Sequence, residues 1–179
     1  MTNDQPSHTF VNSKGHNVTL TWVRTDELEQ YKPCFQVYGV VFNAEGEILL
    51  IQEKGKWKIP GGTPEGDETA EETLRRELIE EADVTIGKLA PVGMQRVEYP
   101  NNPDTNEGDL YYQYRYACLL DELQPSTPDP DTGITNLRKF VPASEVTIHV
   151  KWGTVGDAMF KVAIEAYQEK LMAQRQSVV

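Results

Sequence analysis

The chain has 179 residues, 39% of them hydrophobic and 25% charged, which are the proportions of an ordinary globular protein and not of a disordered or fibrous one. Its formal net charge of −11, from 28 acidic against 17 basic residues, makes nucleic acid an unlikely partner, because phosphate backbones are met by a basic face. A small polyanionic substrate stays compatible with that charge only if a metal ion supplies the positive countercharge. No apolar run reaches the roughly 18 residues of a membrane helix, and the opening MTNDQPSHTF has neither the basic nor the apolar region of a signal peptide. The expectation is therefore a cytoplasmic protein with no membrane partner.

Residues 1–34 are expected to form an N-terminal extension, and residues 35–179 the main domain. Within the extension, residues 9–24 alternate polar and apolar side chains about Lys14-Gly15, the signature of a β-hairpin. Such an arm suits a homodimer, and a free-standing edge hairpin equally well. QVYGVVF at 36–42, the turn from Asn43 to Gly46 and the following EILLIQE read as an antiparallel hairpin. Residues 89–99 and 110–120 read as strands separated by the loop PNNPDTNEGD. A further loop, QPSTPDPDTG, leads to a strand at 134–141. Val155, Ala158, Met159, Val162 and Ala166 then recur at helical spacing and predict a C-terminal amphipathic helix. Strands flanked by helices argue for an α/β layered domain. Cys34 and Cys118 lie beside strands, without a CxxC or Cys/His cluster, and are expected to be reduced core thiols.

The most informative helix spans residues 69–82. Thr69 and Glu72 make a capping box ahead of it. At roughly 100° per residue, Ala70, Leu74, Leu78 and Ala82 line one buried stripe. Glu77 and Glu81 border that stripe, and Glu80 stands further out. Glu71 with Arg75, Glu72 with Arg76 and Arg76 with Glu80 have the spacing of surface ion pairs. Such pairs leave Glu77 and Glu81 unexplained, because partly buried carboxylates this close need a compensating cation, or one of them must hold a proton. Oxygen-only ligands suit Mg²⁺ or Mn²⁺. Pro60-Gly61-Gly62, one loop earlier, lets the main chain approach an ion or a phosphate.

This segment resembles the Nudix box, GX5EX7REUXEEXGU with U a bulky aliphatic residue. It runs from Gly62 through Glu68 to Arg76-Glu77-Leu78-Ile79-Glu80-Glu81-Ala82-Asp83-Val84, and eight of the nine specified positions agree. The departure is Asp83, where the pattern has Gly. That place lies just past the helix, where a left-handed residue often ends it, and Asp tolerates the conformation better than most. The resemblance implies an α/β/α sandwich with a mixed sheet, and hydrolysis of a nucleoside diphosphate linked to another moiety. It makes Glu77 and Glu81 the principal Mg²⁺ ligands, Glu80 an accessory to metal or water, Arg76 the residue that orients them, and Glu68, Leu78 and Asp83 structural.

Substrate contacts are expected from Gly61, Gly62, Lys58 and Arg96, with Lys54 and Lys56 as further phosphate-steering candidates. Asp104, Glu107, Asp109 and Glu122 are candidates for an additional acidic ligand. Tyr112, Tyr114 and Tyr116 share one strand face, as a packed surface or a base-stacking platform. Pro100, sixteen residues after Val84, is where relatives that cleave ADP-ribose carry a proline. It tilts the substrate toward ADP-ribose or a nucleotide sugar, with a nucleoside triphosphate as the rival. A Nudix-fold sensor without turnover is the alternative of another class. His8, His16 and His149 show no nucleophile motif.

Overall fold

In the computed structural model, which describes residues 5–102 and 109–172, the hairpin about Lys14-Gly15 forms as β1 (Ser7–Val11) and β2 (Asn17–Val23). Asn12 closes its turn by accepting from the backbone N–H groups of Lys14 and His16. The hairpin does not stand free. Strand β2 pairs antiparallel with β7 (Val84–Tyr99), from Thr19 opposite Glu98 to Val23 opposite Met94, so residues 7–23 extend the main sheet.

Strand β3 (Cys34–Phe42) runs parallel to β8 (Asp109–Leu123), and the other pairings are antiparallel, so the sheet is mixed. Its order is β1-β2-β7-β8-β3-β4-β5, with β4 at Glu47–Glu53 and β5 at Lys56–Lys58. The two-residue β6 (Gly61–Gly62) pairs with β3, and β9 (Leu137–Pro142) pairs with β4. Observed β7 and β8 are longer than the sequence pattern indicates, because β7 begins directly after Asp83 and pairs with the far end of β8 at Leu123. Strand β9 is shorter, starting at Leu137.

The β3/β4 hairpin is the main departure from expectation. The two strands pair only at its base, Phe42 opposite Ile48. Above that point they splay, β4 turning to β5 and β9 while β6 takes the vacated edge of β3, with Val37 opposite Gly62 and Tyr38 opposite Gly61. Gly39 N–H also donates to Pro60 O. The splay inserts the glycine pair between the strands.

Helices cover both faces. On one, α1 (Ala70–Ala82) buries Leu74, Leu78 and Ala82 against Val37, Val41, Leu49 and Tyr114. On the other, α2 (Val146–His149) and α3 (Gly153–Ala166) bury Val146, Met159, Phe160 and Ala163 against Val40, Phe42, Ile48 and Trp22. The two apolar layers on either side of one sheet make the expected α/β/α sandwich. Tyr114 and Tyr116 are buried beneath α1, so the tyrosine face of β8 is a packed surface. Both thiols are free: Cys118 is fully buried and pushed well above the usual range by that burial, and burial likewise lifts Cys34 to about 11. Among the described residues no helix is long and apolar enough to cross a membrane.

Candidate active site

Helix α1 is fixed at its start by the capping box: Thr69 Oγ1 accepts from Glu72 N–H, and the Glu72 carboxylate accepts from Thr69 N–H at 2.8 Å. Glu72 is thereby engaged, and the ion pair its spacing suggests with Arg76 does not form. Arg76 turns instead to Glu68, donating from Nε and Nη2 at 2.8 and 3.0 Å in a bidentate pair. Its Nη1 reaches Glu80 at 2.8 Å and Glu77 at 3.1 Å, and Nη2 donates to Thr63 O. One guanidinium thus ties the loop before the helix to two of its glutamates. Arg76 holds Glu68 down at about 2, with the Glu65 N–H adding to the effect. The expected Glu71–Arg75 pair is present at the surface.

The side chains of Glu77, Glu81 and Glu80 are 14%, 16% and 25% exposed, with Glu80 the outermost as the helical wheel predicts. Glu81 accepts from Gly61 N–H at 2.8 Å and from Lys58 Nζ at 2.9 Å. Glu77 lies on Gly62: a Cβ there would fall 2.3 Å from Glu77 Oε1, so only glycine admits the carboxylate. Gly61 is needed for a different reason. Its φ is +142°, and a Cβ would strike Val37 O at 2.2 Å. Burial raises the Glu77 pKa, Arg76 opposes the rise, and the Glu81 and Glu80 carboxylates add to it. Burial also acts to lower Lys58, but Glu81 and Glu53 outweigh it and the net shift is upward.

Asp83 ends α1 in the left-handed region at φ 49° and ψ 46°, its N–H donating to Leu78 O and Ile79 O. The carboxylate is nearly buried and accepts from Thr127 N–H at 3.0 Å and from the Thr127 hydroxyl. The helix end gains further donors from across the fold: Asn136 to Glu81 O at 3.0 Å, and Arg138 to Ala82 O at 2.6 Å. They answer carbonyls that the last turn leaves without helical partners.

These residues form an acidic ledge on a glycine pair, with a lysine and an arginine set into it. A family model described as NUDIX domain matches residues 32–160. The chain belongs to the Nudix family. The phosphatase NudJ of Shigella boydii is 30% identical over 77% of this chain and 85% of its own length. The 8-oxo-dGDP phosphatase NUDT18 of Mus musculus is 41% identical over 36% of this chain, a match spanning about a fifth of that relative. The fold is similar to the Bacillus subtilis pyrophosphohydrolase BsRppH, with a TM-score of 0.61 and 16% identity over 89% of this chain and 97% of that one.

Not every sequence-based site candidate reaches the Nudix glutamates. Lys58 does, whereas Lys54 pairs with Glu53 and Lys56 is exposed. Arg96 pairs with Glu98 at 2.9 Å and shares the α1 side of β7 with Met94; its neighbour Gln95 faces the other way. Asp109 opens β8 and accepts from Asn102. Glu122 is exposed near the end of β8, and Pro100 follows β7 at the surface. Asp104 and Glu107 lie outside the described residues.

Sequence reasoning overlooked a cavity of about 510 Å³ on the α3 side of the sheet. Its walls include Phe10, Leu20, Tyr38 and Trp152, and its polar floor is Gln95, Gln113 and Arg115. Tyr38 joins cavity to ledge, since its backbone pairs with Gly61, whose N–H donates to Glu81. The signal for Arg115 was present in YYQYRYA: a cation in mid-strand, on the face opposite Tyr114 and Tyr116.

Proposed function

We propose that the protein is a divalent-metal-dependent pyrophosphohydrolase that cleaves a nucleoside diphosphate linked to another moiety. The observation that carries this reading is the seating of the Glu77 and Glu81 carboxylates on Gly61-Gly62. Lys58 and Arg76 already contact these carboxylates, but the two cations are shared among Glu53, Glu68, Glu77, Glu80 and Glu81, and the excess negative charge is costly without a further cation. Among the described residues no group of three or more acidic, histidine or cysteine side chains is placed to hold a metal ion. Mg²⁺ requires none, because it takes few carboxylates, keeps waters and accepts phosphate oxygens, and Mn²⁺ suits the same oxygen donors. Glu77 and Glu81, assisted by Glu80, would hold the ion; once bound, it neutralises diphosphate charge and acidifies a water.

The chain's own residues supply the rest. Arg76 holds Glu77 and Glu80 in place through hydrogen bonds that leave little rotamer freedom. Lys58, anchored on Glu81 and Glu53, presents its ammonium to an incoming phosphate. The glycine pair lets the substrate's phosphates approach the main chain. A carboxylate of the Glu77, Glu80 and Glu81 trio takes the proton as the water oxygen bonds to phosphorus and the bridging P–O bond breaks.

For the substrate, Pro100 supports ADP-ribose or a nucleotide sugar. Similarity to NUDT18, an 8-oxo-dGDP phosphatase, supports a purine nucleotide with an altered base. Retention of every box glutamate argues against a sensor without turnover. The test is incubation with Mg²⁺ and a panel of ADP-ribose, nucleotide sugars, nucleoside diphosphates and nucleoside triphosphates. Hydrolysis of at least one, lowered by about 10²-fold or more in Glu81→Gln, is expected. No turnover of any, or turnover that survives Glu81→Gln, would sink the proposal.

A further inference from the structure

Arg115 is the most unusual charge in the molecule. It is 3% exposed, and among the described residues no carboxylate pairs with it. Nη1 donates to Tyr114 O, Nη2 donates to Gln113 Oε1 and more distantly to Gln95 Oε1, and Nε has no partner. The guanidinium lies 4.4 Å above the Tyr38 ring. A buried cation held only by neutral groups is costly, and the unpaired Nε–H adds to that cost. Guanidinium is donor-only, so both glutamines turn their oxygens toward it and their amide nitrogens away. Gln113 then donates to Gln36 at 2.7 Å. The result is a cavity floor that carries a buried guanidinium with N–H groups to spare, rimmed by Lys151 and with no acidic residue in the lining among the described residues, inside a protein of net charge −11.

Phe10, Tyr38 and Trp152 give the same cavity flat aromatic walls. A planar ring with an acceptor edge satisfies both features. We propose that Arg115, with Gln95, is a specificity-determining residue that selects a 6-oxopurine base over adenine. Guanine and hypoxanthine offer O6 and N7 as adjacent acceptors, the edge that arginine reads best, whereas adenine would turn its amino donor toward the guanidinium. A site built to satisfy hydrogen bonds rejects the analogue that leaves its buried donors unpaired. This assignment rests on the hydrolase reading above only in taking the cavity as the seat of the substrate's base, one residue from the ledge through Tyr38.

The decisive experiment measures binding without turnover: dissociation constants of GMP, IMP and AMP for the full chain in EDTA, followed by ligand-observed NMR. GMP and IMP are expected to bind at least about tenfold more tightly than AMP. That ratio should fall toward one in Arg115→Met, and in Gln95→Glu, where a carboxylate would neutralise the floor. AMP binding as tightly as GMP overturns the assignment, as does a preference that survives in folded Arg115→Met or Gln95→Glu. If neither variant folds, the wild-type ratio decides. A base preference in a protein that hydrolyses nothing with Mg²⁺ would overturn the hydrolase reading and leave Arg115's role standing. Hydrolysis without base preference would do the reverse.

Discussion

The Asp83 carboxylate accepts hydrogen bonds from both the backbone N–H of Thr127, at 3.0 Å, and the Thr127 hydroxyl, across 44 residues of sequence. The one departure from the Nudix box is thus a tether between the end of α1 and the loop before β9. Glycine would adopt the left-handed backbone more easily but could not reach Thr127. Asp83→Ala removes the tether and keeps the backbone strain, and should cost about 3 kcal/mol. Asp83→Gly should be milder by about 1 kcal/mol, because the strain goes with the side chain. Urea unfolding of both variants checks the order; an Asp83→Gly protein more stable than wild type would refute the tether.

The two glycines should fail in different ways. Gly61→Ala places a Cβ against the Val37 carbonyl at a positive φ and should destabilise by about 3 kcal/mol. Gly62→Ala meets only the tip of the Glu77 side chain, which can move aside. Its stability should change by less than about 1 kcal/mol, while hydrolysis falls on the order of 10²-fold because Glu77 is displaced. Thermal melts and kcat/KM on the two variants separate these outcomes.

Mg²⁺ should stabilise the folded chain even without substrate, because an ion at the ledge relieves the repulsion among Glu77, Glu80 and Glu81. At ten times its Kd the gain is roughly 1.4 kcal/mol, or a Tm rise of roughly 3 to 6 °C. The rise should vanish in Glu77→Gln/Glu81→Gln. A Tm that ignores Mg²⁺ in the wild type would count against the ledge as a metal site.

Glu68 contributes a pH dependence of known sign. Its folded pKa is about 2, against an ordinary value of 4.5, with Arg76 the main cause. A depressed carboxylate stabilises the fold above its unfolded pKa and loses that contribution as pH falls through the folded one. The stability advantage of wild type over Glu68→Gln should therefore be full near pH 5 and shrink toward pH 2. A difference that stays constant across that window would show that Arg76 does not hold Glu68 down.

Much of the candidate site was legible in the linear chain because its determinants are local. Thr69 and Glu72 cap α1, the 3.6-residue period brings Leu74 and Leu78 to one stripe, and the same period sets Glu77 and Glu81 at its edge with Glu80 outside. These relationships span at most a few turns and depend only on helical geometry. The family spacing from Gly62 to Val84 added the chemistry.

What tertiary structure alone decided lies across long separations. The sequence pattern of β3 and β4 shows two strands but not that they splay to admit Gly61-Gly62, because β4's other partners, β5 and β9, follow from sheet order. Arg76's choice of Glu68 over Glu72 depended on where the preceding loop returns to the helix. Arg115 sits in a strand whose period told which face it shares but not that β7, β3 and the start of α3 would close a cavity over it. Helix caps and periods are written in neighbouring residues; the partners of Asp83, Gly61 and Arg115 are set only when strands far apart in sequence take adjacent places in one sheet.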